Sequence, residues 1–298
     1  MEDTYVMNMK RLIALALALV LSLALAACGS SAAPSPSASA PAESSAAPAE
    51  SAPAESAAES DLDYVKGKGS LVIGYTVYAP MNYTDDNGEF TGFDTELAKA
   101  VCEKLGVEPQ FQEIVWETKE IELAGKTIDC IWNGMTLDPE REANMACTVP
   151  YVKNAQVVVM KADADYADTS SLIGKSVCAE VGSAGETQIL GNEETKPDAN
   201  LAQADYVGKS VQTDCLMEVA AGTCDAAVLD MTLANAMIGE GTDYAGLKIV
   251  DELAVENYGV AFRQGSDVRD AVNEIFAEMA SDGSLGALAG KYGLELAE

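Results

Sequence analysis

The sequence predicts an α/β fold, and three observations support this prediction. Short apolar segments that are typical of strands alternate with amphipathic segments that are typical of helices, from residue 70 to residue 279. Turn residues such as Asn87-Gly88, and a helix-ending Gly106, separate them. The chain has 298 residues, 48% of them hydrophobic, which is enough for a substantial core. This alternation is typical of mostly parallel sheets, in which ligands bind beyond the carboxyl ends of the strands.

The individual elements follow from periodicity. One helix is predicted after Asp94, because Leu97, Val101 and Leu105 recur on one helical face. Strands are predicted at 70–75, 111–115, 128–132, 156–160, 176–179, 226–229 and 258–262. Further helices are predicted at 117–123, 186–190, 213–221, 231–238 and 268–279.

Charge and composition exclude several functions. Lys and Arg total 18 against 48 Asp and Glu, which gives a net charge of −30. Such a chain repels nucleic acids, because phosphate binding depends on dense positive charge. The sequence has no histidine, so Ser-His-Asp catalysis and imidazole metal sites are absent. We therefore expect a binding protein without a cofactor or a metal.

The N-terminus has the features of an export signal. Lys10 and Arg11 precede an apolar run at 12–27, which ends in small residues before Cys28. This junction resembles the lipobox of bacterial lipoproteins, which implies a signal peptide at 1–27 and a lipid on Cys28. A transmembrane helix is the alternative, although 16 residues are few for crossing a bilayer. The true start is Met1, Met7 or Met9.

A low-complexity segment follows the apolar run. Residues 29–60 are almost entirely Ser, Ala, Pro and Glu, with no aromatic or β-branched residue. Such a segment cannot bury enough apolar surface to offset its ordering entropy. We expect a flexible tether at 28–63 that could reach on the order of 100 Å when stretched.

Six cysteines remain after Cys28, and no two of them form a CxxC pair. Zinc ribbons and thioredoxin-like chemistry are therefore not expected. Cys215 and Cys224 could form a disulfide in an exported protein, or all six could be buried free thiols. The six are Cys102, Cys130, Cys147, Cys178, Cys215 and Cys224.

A series of motifs resembles a known family. The run from Gly92-Phe93-Asp94 to Val101 is similar to the GFD-x-DLA-x-A-V signature of the family-3 extracellular solute-binding proteins, which serve polar amino acid ABC importers. The resemblance covers about residues 64–296. Further pieces follow in order: Trp116, Gly125 to Asp129, Gly134 to Thr136, Glu140-Arg141, Pro150-Tyr151, Gly182 to Glu186, and Gly222 to Ala226 with Asp230.

The resemblance implies a periplasmic-binding-protein-like (type II) fold of two α/β lobes joined by two hinge crossings. Lobe 1 would comprise 64–155 plus 256–298, and lobe 2 would comprise 156–255. The hinge would lie near 155–158 and 255–258, and the lobes would close on the ligand.

The resemblance also implies a grip on the ligand carboxylate. Arg141 would bind it with its planar fork, beside Gly134 and Thr136. The alternative is a solvated surface arginine. In the second lobe, Ser183 and Ala184 would present backbone N–H groups to the same carboxylate at a helix N-terminus. The alternative there is an ordinary glycine turn.

Asp230 would bind the ligand ammonium. It ends an apolar strand, where a buried carboxylate needs a partner, and the alternative is an N-cap for the next helix. Tyr78 and Trp116 match the aromatic positions that sandwich the ligand side chain, or else they are plain core. Other residues expected to line the pocket are Trp132, Asn133 and Leu229.

The resemblance therefore implies a monomeric extracytoplasmic subunit that captures a free α-amino acid and delivers it to the permease of an ABC transporter. It would be held at the cell membrane by the lipid on Cys28, at the cell surface or in the periplasm. The alternatives are a dehydratase acting on prephenate-like acids, for which no catalytic acid is evident, and a sensory module. The sequence leaves the identity of the amino acid open.

Overall fold

The computed structural model describes residues 60–298 of the chain. In this range the helices are α1 Asp61–Lys68, α2 Phe93–Leu105, α3 Lys119–Ala124, α4 Pro139–Asn144, α5 Ala184–Leu190, α6 Gln212–Ala221, α7 Met231–Met237, α8 Val268–Ser281 and α9 Ser284–Lys291. The strands are β1 Ser70–Tyr75, β2 Tyr83–Thr84, β3 Phe90–Thr91, β4 Glu108–Glu113, β5 Cys130–Thr136, β6 Ala146–Cys147, β7 Val152–Lys161, β8 Ser176–Glu180, β9 Asp205–Lys209, β10 Ala226–Asp230 and β11 Leu247–Phe262.

Most strands belong to one sheet with the order β4-β1-β5-β11-β7-β10-β8-β9, and β6 pairs with β11. Strands β1, β4 and β5 form the first strand group, and they pair in parallel. Strands β8, β9 and β10 form the second strand group, which is also parallel. The expected α/β architecture is present in both groups.

The long strands β7 and β11 connect the two strand groups. The chain passes from the first group to the second through β7 and returns through β11. Strand β11 pairs antiparallel with β5 and with β7, and β7 pairs antiparallel with β10. The sheet is therefore mixed, whereas the alternation of elements predicts a mostly parallel one. A strand that returns between two groups must run against its neighbours.

The first helix begins earlier than the expected tether boundary. Asp61 starts α1, where Ser60 caps the helix by accepting a hydrogen bond from Asp63 N–H at 3.0 Å. The Ser60 hydroxyl also donates to Asp267 at 2.6 Å, which joins the start of this helix to the start of α8. Residues 61–63 therefore belong to the folded part rather than to the tether. The expected signal peptide and lipidated Cys28 lie outside the described residues.

The boundaries of several other elements differ from prediction. Helix α2 ends at Leu105 before Gly106 with φ 75°, as predicted. Strand β4 begins at Glu108, three residues before the predicted 111, because the polar start of that strand has no apolar signal. Strand β11 begins at Leu247 rather than at 258, because the burial of its first eleven residues does not alternate.

The described residues form one compact unit with its own core. At its centre Trp132 and Tyr151 contact Phe276, with ring centroids 5.8 Å apart in both pairs. The six cysteines of this region are free thiols, which decides the question left open for Cys215 and Cys224. No helix within residues 60–298 has the length and apolar character needed to cross a membrane.

Candidate functional site

One pocket brings together side chains from both strand groups, at the carboxyl ends of their parallel strands. Strands β1, β5, β8 and β10 all end at this pocket, which is where a parallel α/β sheet is expected to bind ligands. Its lining comprises Thr76, Val77, Tyr78, Trp116, Asn133, Gly134, Thr136, Arg141, Glu180, Ser183, Ala184, Gln212, Asp230 and Leu233.

Arg141 is a buried cation at this pocket. It lies in α4, whose N-cap Asp138 accepts from the Arg141 backbone N–H and pairs with its Nε at 3.1 Å. Its Nη1 donates to the Thr136 carbonyl at 2.9 Å, and its Nη2 donates to the Gly182 carbonyl at 3.1 Å. Only 6% of Arg141 is exposed, so the alternative of a solvated surface arginine is wrong.

The Gly182 carbonyl accepts hydrogen bonds from three side chains that lie in the helical segments before and after β5. Besides Arg141, the donors are Trp116 Nε1 and Lys119 Nζ, each at 3.1 Å. Lys119 Nζ also lies 4.8 Å from the centroid of the Trp116 ring. These contacts hold the loop before α5 against α3 and α4.

The segment from Gly182 to Gly185 contains the start of α5, and Ser183 is the N-cap residue of that helix. The Ser183 hydroxyl oxygen accepts from Glu186 N–H at 3.1 Å, while Ser183 N–H donates to the Glu180 carbonyl at 3.2 Å. Gly185 lies so close to β10 that a Cβ there would be 2.6 Å from the Val228 carbonyl oxygen. The Ser183 N–H is thus engaged within the loop, whereas the resemblance implies that it faces a ligand.

Asp230 is a buried carboxylate that collects amide donors. Its Oδ1 accepts from Asn154 Nδ2 at 2.7 Å and from Gln156 Nε2 at 2.5 Å, and its Oδ2 accepts from Gln212 Nε2. Asp230 occupies the N-cap position of α7, as the alternative predicts, but its side chain makes no capping hydrogen bond to that helix. Burial raises the pKa of Asp230, and the hydrogen bonds from Gln212 and its other neighbours oppose that rise.

A second carboxyl group, Glu256 in β11, shares the donors of Asp230. Glu256 Oε1 accepts from Asn154 Nδ2 at 2.6 Å, from Gln156 Nε2 at 2.9 Å and from Thr136 Oγ1 at 2.8 Å. Burial, and next the charge of Asp230, raise the pKa of Glu256. The same two amides therefore bridge two carboxyl groups, of which Asp230 lines the pocket.

Glu180 is a third buried carboxyl group, at the end of β8. It is 4% exposed, and its Oε1 has no hydrogen-bond partner among residues 60–298. Burial, and next the charge of Asp230, raise the pKa of Glu180 to about 8. The sequence makes no acid besides Asp230 evident at the site, and the structure adds Glu180 to the pocket lining.

Lys119 is a second buried cation near the pocket. Its Nζ donates to the Trp116 carbonyl at 3.3 Å as well as to Gly182. Burial, and next the charge of Arg141, lower the pKa of Lys119 to about 8. Its position in a short helix three residues after Trp116 gave no sequence signal that distinguishes it from a solvated lysine.

Tyr78 and Gly134 pack closely at the first strand group. The Tyr78 hydroxyl bonds to the hydroxyls of Thr232 and Tyr258, so this aromatic side chain links the loop after β1 to α7 and to β11. Gly134 has φ 53°, and a Cβ there would be 2.6 Å from Tyr78 Cε1. Asn133 donates to the Thr76 carbonyl at 2.8 Å, which fixes the end of β1 beside the pocket.

Two predicted residues, Trp132 and Leu229, do not line the pocket. Trp132 is fully buried on the opposite face of β5 from Asn133 and contacts Phe276 instead. Leu229 is 1% exposed and belongs to the core. Both misplacements have one cause, because successive residues of a strand point to opposite faces of the sheet.

The family is decided by comparison with known proteins. Residues 71–295 match the bacterial extracellular solute-binding proteins, family 3. This chain belongs to that family.

Two known binding proteins are similar to this chain over most of its length. The arginine-binding extracellular protein ArtP of Bacillus subtilis (strain 168) is 29% identical over 228 residues, which are 76% of this chain and 87% of ArtP. The L-cystine-binding protein TcyJ of Escherichia coli (strain K12) is 30% identical over 241 residues, which are 79% of this chain and 87% of TcyJ.

A solved structure extends the likeness to the fold. The ancestral amino acid-binding protein AncCDT-1, a precursor of cyclohexadienyl dehydratase, matches with a TM-score of 0.69 and 28% identity. The match covers 78% of this chain and 99% of that one. The prediction of a type II periplasmic-binding fold is confirmed by this likeness.

Sequence reasoning missed Glu180, Glu256 and Lys119. Glu180 carries the same signal as Asp230, since both are acidic residues at the end of an apolar strand. Glu256 lies in a strand without alternating burial, and only the fold brings it to Asp230. Within residues 60–298, no group of three acidic or cysteine side chains is arranged to hold a metal ion.

Proposed function

We propose that this protein is the extracytoplasmic substrate-binding subunit of an amino acid ABC importer, and that it captures a free α-amino acid. One observation carries the proposal: Arg141, in the helix that follows β5, and Asp230, at the end of β10, line the same pocket. An α-amino acid presents a carboxylate and an ammonium one carbon apart, and this pocket offers a buried partner for each.

Arg141 supports the carboxylate end of the site. Within residues 60–298 its Nε forms an ion pair with Asp138, and each terminal nitrogen donates one hydrogen bond, to Thr136 and to Gly182, so three of its five N–H groups are engaged. One donor on each terminal nitrogen therefore remains for the two oxygens of a carboxylate, which is the bidentate geometry that arginine favours. The Ser183 and Ala184 loop lies at the same end.

Asp230 supports the ammonium end. Its two oxygens accept from three side-chain amides, which fix the carboxylate in place, and Glu256 adds a second carboxyl group beside it. A buried carboxylate is stabilised by a cation that reaches it. The ligand ammonium supplies such a cation.

A thermal-shift panel of the twenty amino acids on the 60–298 fragment tests this function. At least one L-amino acid raises the melting temperature, and the rise grows with concentration, because a ligand that binds only the folded state stabilises it by mass action. The panel is repeated with glycerol and acetate as controls that lack one or both charged groups. A melting temperature that no amino acid changes would contradict the function.

We further propose that two lobes close on the ligand, with lobe 1 at 64–155 plus 256–298 and lobe 2 at 156–255. The two connecting strands β7 and β11 support this division, since the hinge positions near 155–158 and 255–258 lie within them. Small-angle scattering on the 60–298 fragment tests it. The radius of gyration decreases at saturating ligand, and an unchanged radius would contradict closure.

We propose that the mature protein is a monomer anchored outside the cytoplasm by a lipid on Cys28. The sequence around Cys28 supports this, together with membership of an extracellular binding-protein family. Metabolic labelling with a fatty acid tests the anchor. Label enters the wild-type protein and is lost in Cys28→Ala, whereas a Cys102→Ala control keeps it; labelled Cys28→Ala would contradict the anchor.

A dehydratase is a second candidate, favoured by one observation. Glu180 is a buried acid with a pKa near 8 at the pocket, and such an acid can donate a proton at neutral pH. The likeness to a dehydratase precursor adds to this. Incubation of the protein with prephenate tests this candidate. Phenylpyruvate that forms with the wild type but not with Glu180→Gln supports a dehydratase. Prephenate that the wild type leaves unconsumed contradicts it.

A further inference from the structure

Glu180 and Asp230 are the last residues of two neighbouring strands. Strands β8 and β10 pair in parallel, with Ala226 opposite Val177 and Ala227 opposite Cys178. Each strand ends in its acidic residue, so both carboxyl groups lie at the same edge of the sheet and line the same pocket. The site therefore has two acidic positions where the grip on an α-amino acid needs one.

The two carboxyl groups differ in how well they are satisfied. Asp230 accepts hydrogen bonds from three side-chain amides. Glu180 is only 4% exposed, and its Oε1 has no hydrogen-bond partner among the described residues. An unpaired polar oxygen at such depth is unfavourable, because it has lost its hydrogen bonds to water without gaining others. A ligand group that donates to this oxygen removes that penalty.

The charges that line the pocket do not balance. Arg141 is the cation in the lining, and Glu180 and Asp230 are the carboxylates. The carboxylate and ammonium of an amino acid match Arg141 and Asp230. Glu180 is then left without an opposite charge, and burial keeps a proton on it until a cation arrives.

Lys119 does not fill this role. Its ammonium donates to the carbonyls of Trp116 and Gly182, and no ion pair joins it to Glu180 in the described part of the chain. Its charge acts on Glu180 only at longer range, after the effects of burial and Asp230.

We propose that Glu180 binds the cationic end of the ligand side chain, so that the pocket selects a basic α-amino acid. This inference rests on the proposed function, because it assigns Arg141 and Asp230 to the two charged groups on the ligand's α-carbon. Glu180 then supplies the specificity: its free oxygen accepts from the ammonium or guanidinium of the ligand.

The test compares ligands that differ only in the charge of their side chain. Isothermal titration calorimetry on the 60–298 fragment uses L-arginine against L-citrulline, and L-lysine against L-norleucine. The wild type binds the charged member of at least one pair at least tenfold more tightly. Glu180→Gln keeps the shape of the side chain but not its charge, and it reduces that ratio to less than threefold.

Glu120→Gln is the matched control variant. Glu120→Gln makes the same change in charge on the exposed face of α3, and it keeps the wild-type ratio. Melting curves without ligand establish that each variant is folded. The inference is overturned if the wild type binds both members of each pair with equal affinity. It is also overturned if Glu180→Gln keeps the preference for the charged member. In both cases the proposed binding of an amino acid is unaffected. If no amino acid binds, the proposed function fails together with the inference.

Discussion

The backbone N–H of Gly134 donates a 2.6 Å hydrogen bond to Oδ2 of Asp94. Asp94 is the acidic residue of the Gly92-Phe93-Asp94 motif, and it is fully buried in the first turn of α2. Gly134 lines the pocket. The motif that carries the family resemblance therefore acts on the site indirectly, by fixing the strand whose end forms the pocket.

The protonation of Asp94 makes stability depend on pH. Burial raises the pKa of Asp94 to about 7, so the folded state holds a proton that the unfolded chain releases near pH 4. Its contribution to the free energy of unfolding therefore decreases between about pH 4 and pH 7 and is constant above that. Relative to wild type, Asp94→Asn becomes more stable as the pH rises, by at most about 1.4 kcal/mol per pH unit.

Urea unfolding of both proteins at a series of pH values measures this difference. Glu180 titrates in the same direction, but it is common to both proteins and largely cancels. A stability difference that stays constant from pH 4 to pH 7 would show that Asp94 keeps its ordinary pKa.

Gly134→Ala is expected to destabilise the protein and weaken ligand binding. The new Cβ would lie 2.6 Å from Tyr78 Cε1 and 3.1 Å from Tyr258 Cε2, at a φ of 53°. Overpacking of this kind lowers stability by about 1–3 kcal/mol. Thermal unfolding checks this against Gly286→Ala in α9, where no atom lies within 4 Å of the new Cβ. Equal melting temperatures for the two variants would rule out the close approach.

Arg141→Gln is expected to lower affinity for the amino acid at least tenfold. Removing one partner of a buried charge pair weakens binding by about 2–5 kcal/mol. Arg269→Gln is the control, because that arginine lies outside the pocket, is 39% exposed and pairs with its neighbour Asp270. Calorimetry on both variants measures the effect, and an unchanged affinity in folded Arg141→Gln would remove Arg141 from the site.

Asp230→Asn is expected to abolish the requirement for a free ammonium. The variant binds the amino acid at least tenfold more weakly than wild type and no longer discriminates against the N-acetylated analogue. Asp270→Asn, a change at an exposed acid, keeps the wild-type affinity for the amino acid and the wild-type preference over the N-acetylated analogue. Should Asp230→Asn keep the wild-type preference for the free amine, the ammonium partner lies elsewhere.

Sequence reasoning predicted helix α2 well, because its apolar spacing and its terminal Gly106 are local signals. It did not predict the first half of β11, whose burial follows its pairing with β7 rather than its own residue pattern. Long-range pairing of this kind leaves no local periodicity for a single sequence to show.

The candidate site was predictable only in part. Arg141 and Asp230 are identified by their motifs, and the structure brings them to one pocket. Trp132 and Asn133 cannot both line the pocket, because successive residues of a strand point to opposite faces of the sheet. Glu256 could not be found in this way, since it meets Asp230 only through the amides of Asn154 and Gln156.

The central claim is that the pocket binds both charged groups of a free α-amino acid. Isothermal titration of the 60–298 fragment tests it most directly, with the best L-amino acid from the thermal-shift panel compared with the 2-keto acid that has the same side chain. We expect the amino acid to bind at least tenfold more tightly, because only it carries an ammonium for Asp230. Equal affinity for the keto acid would contradict the claim.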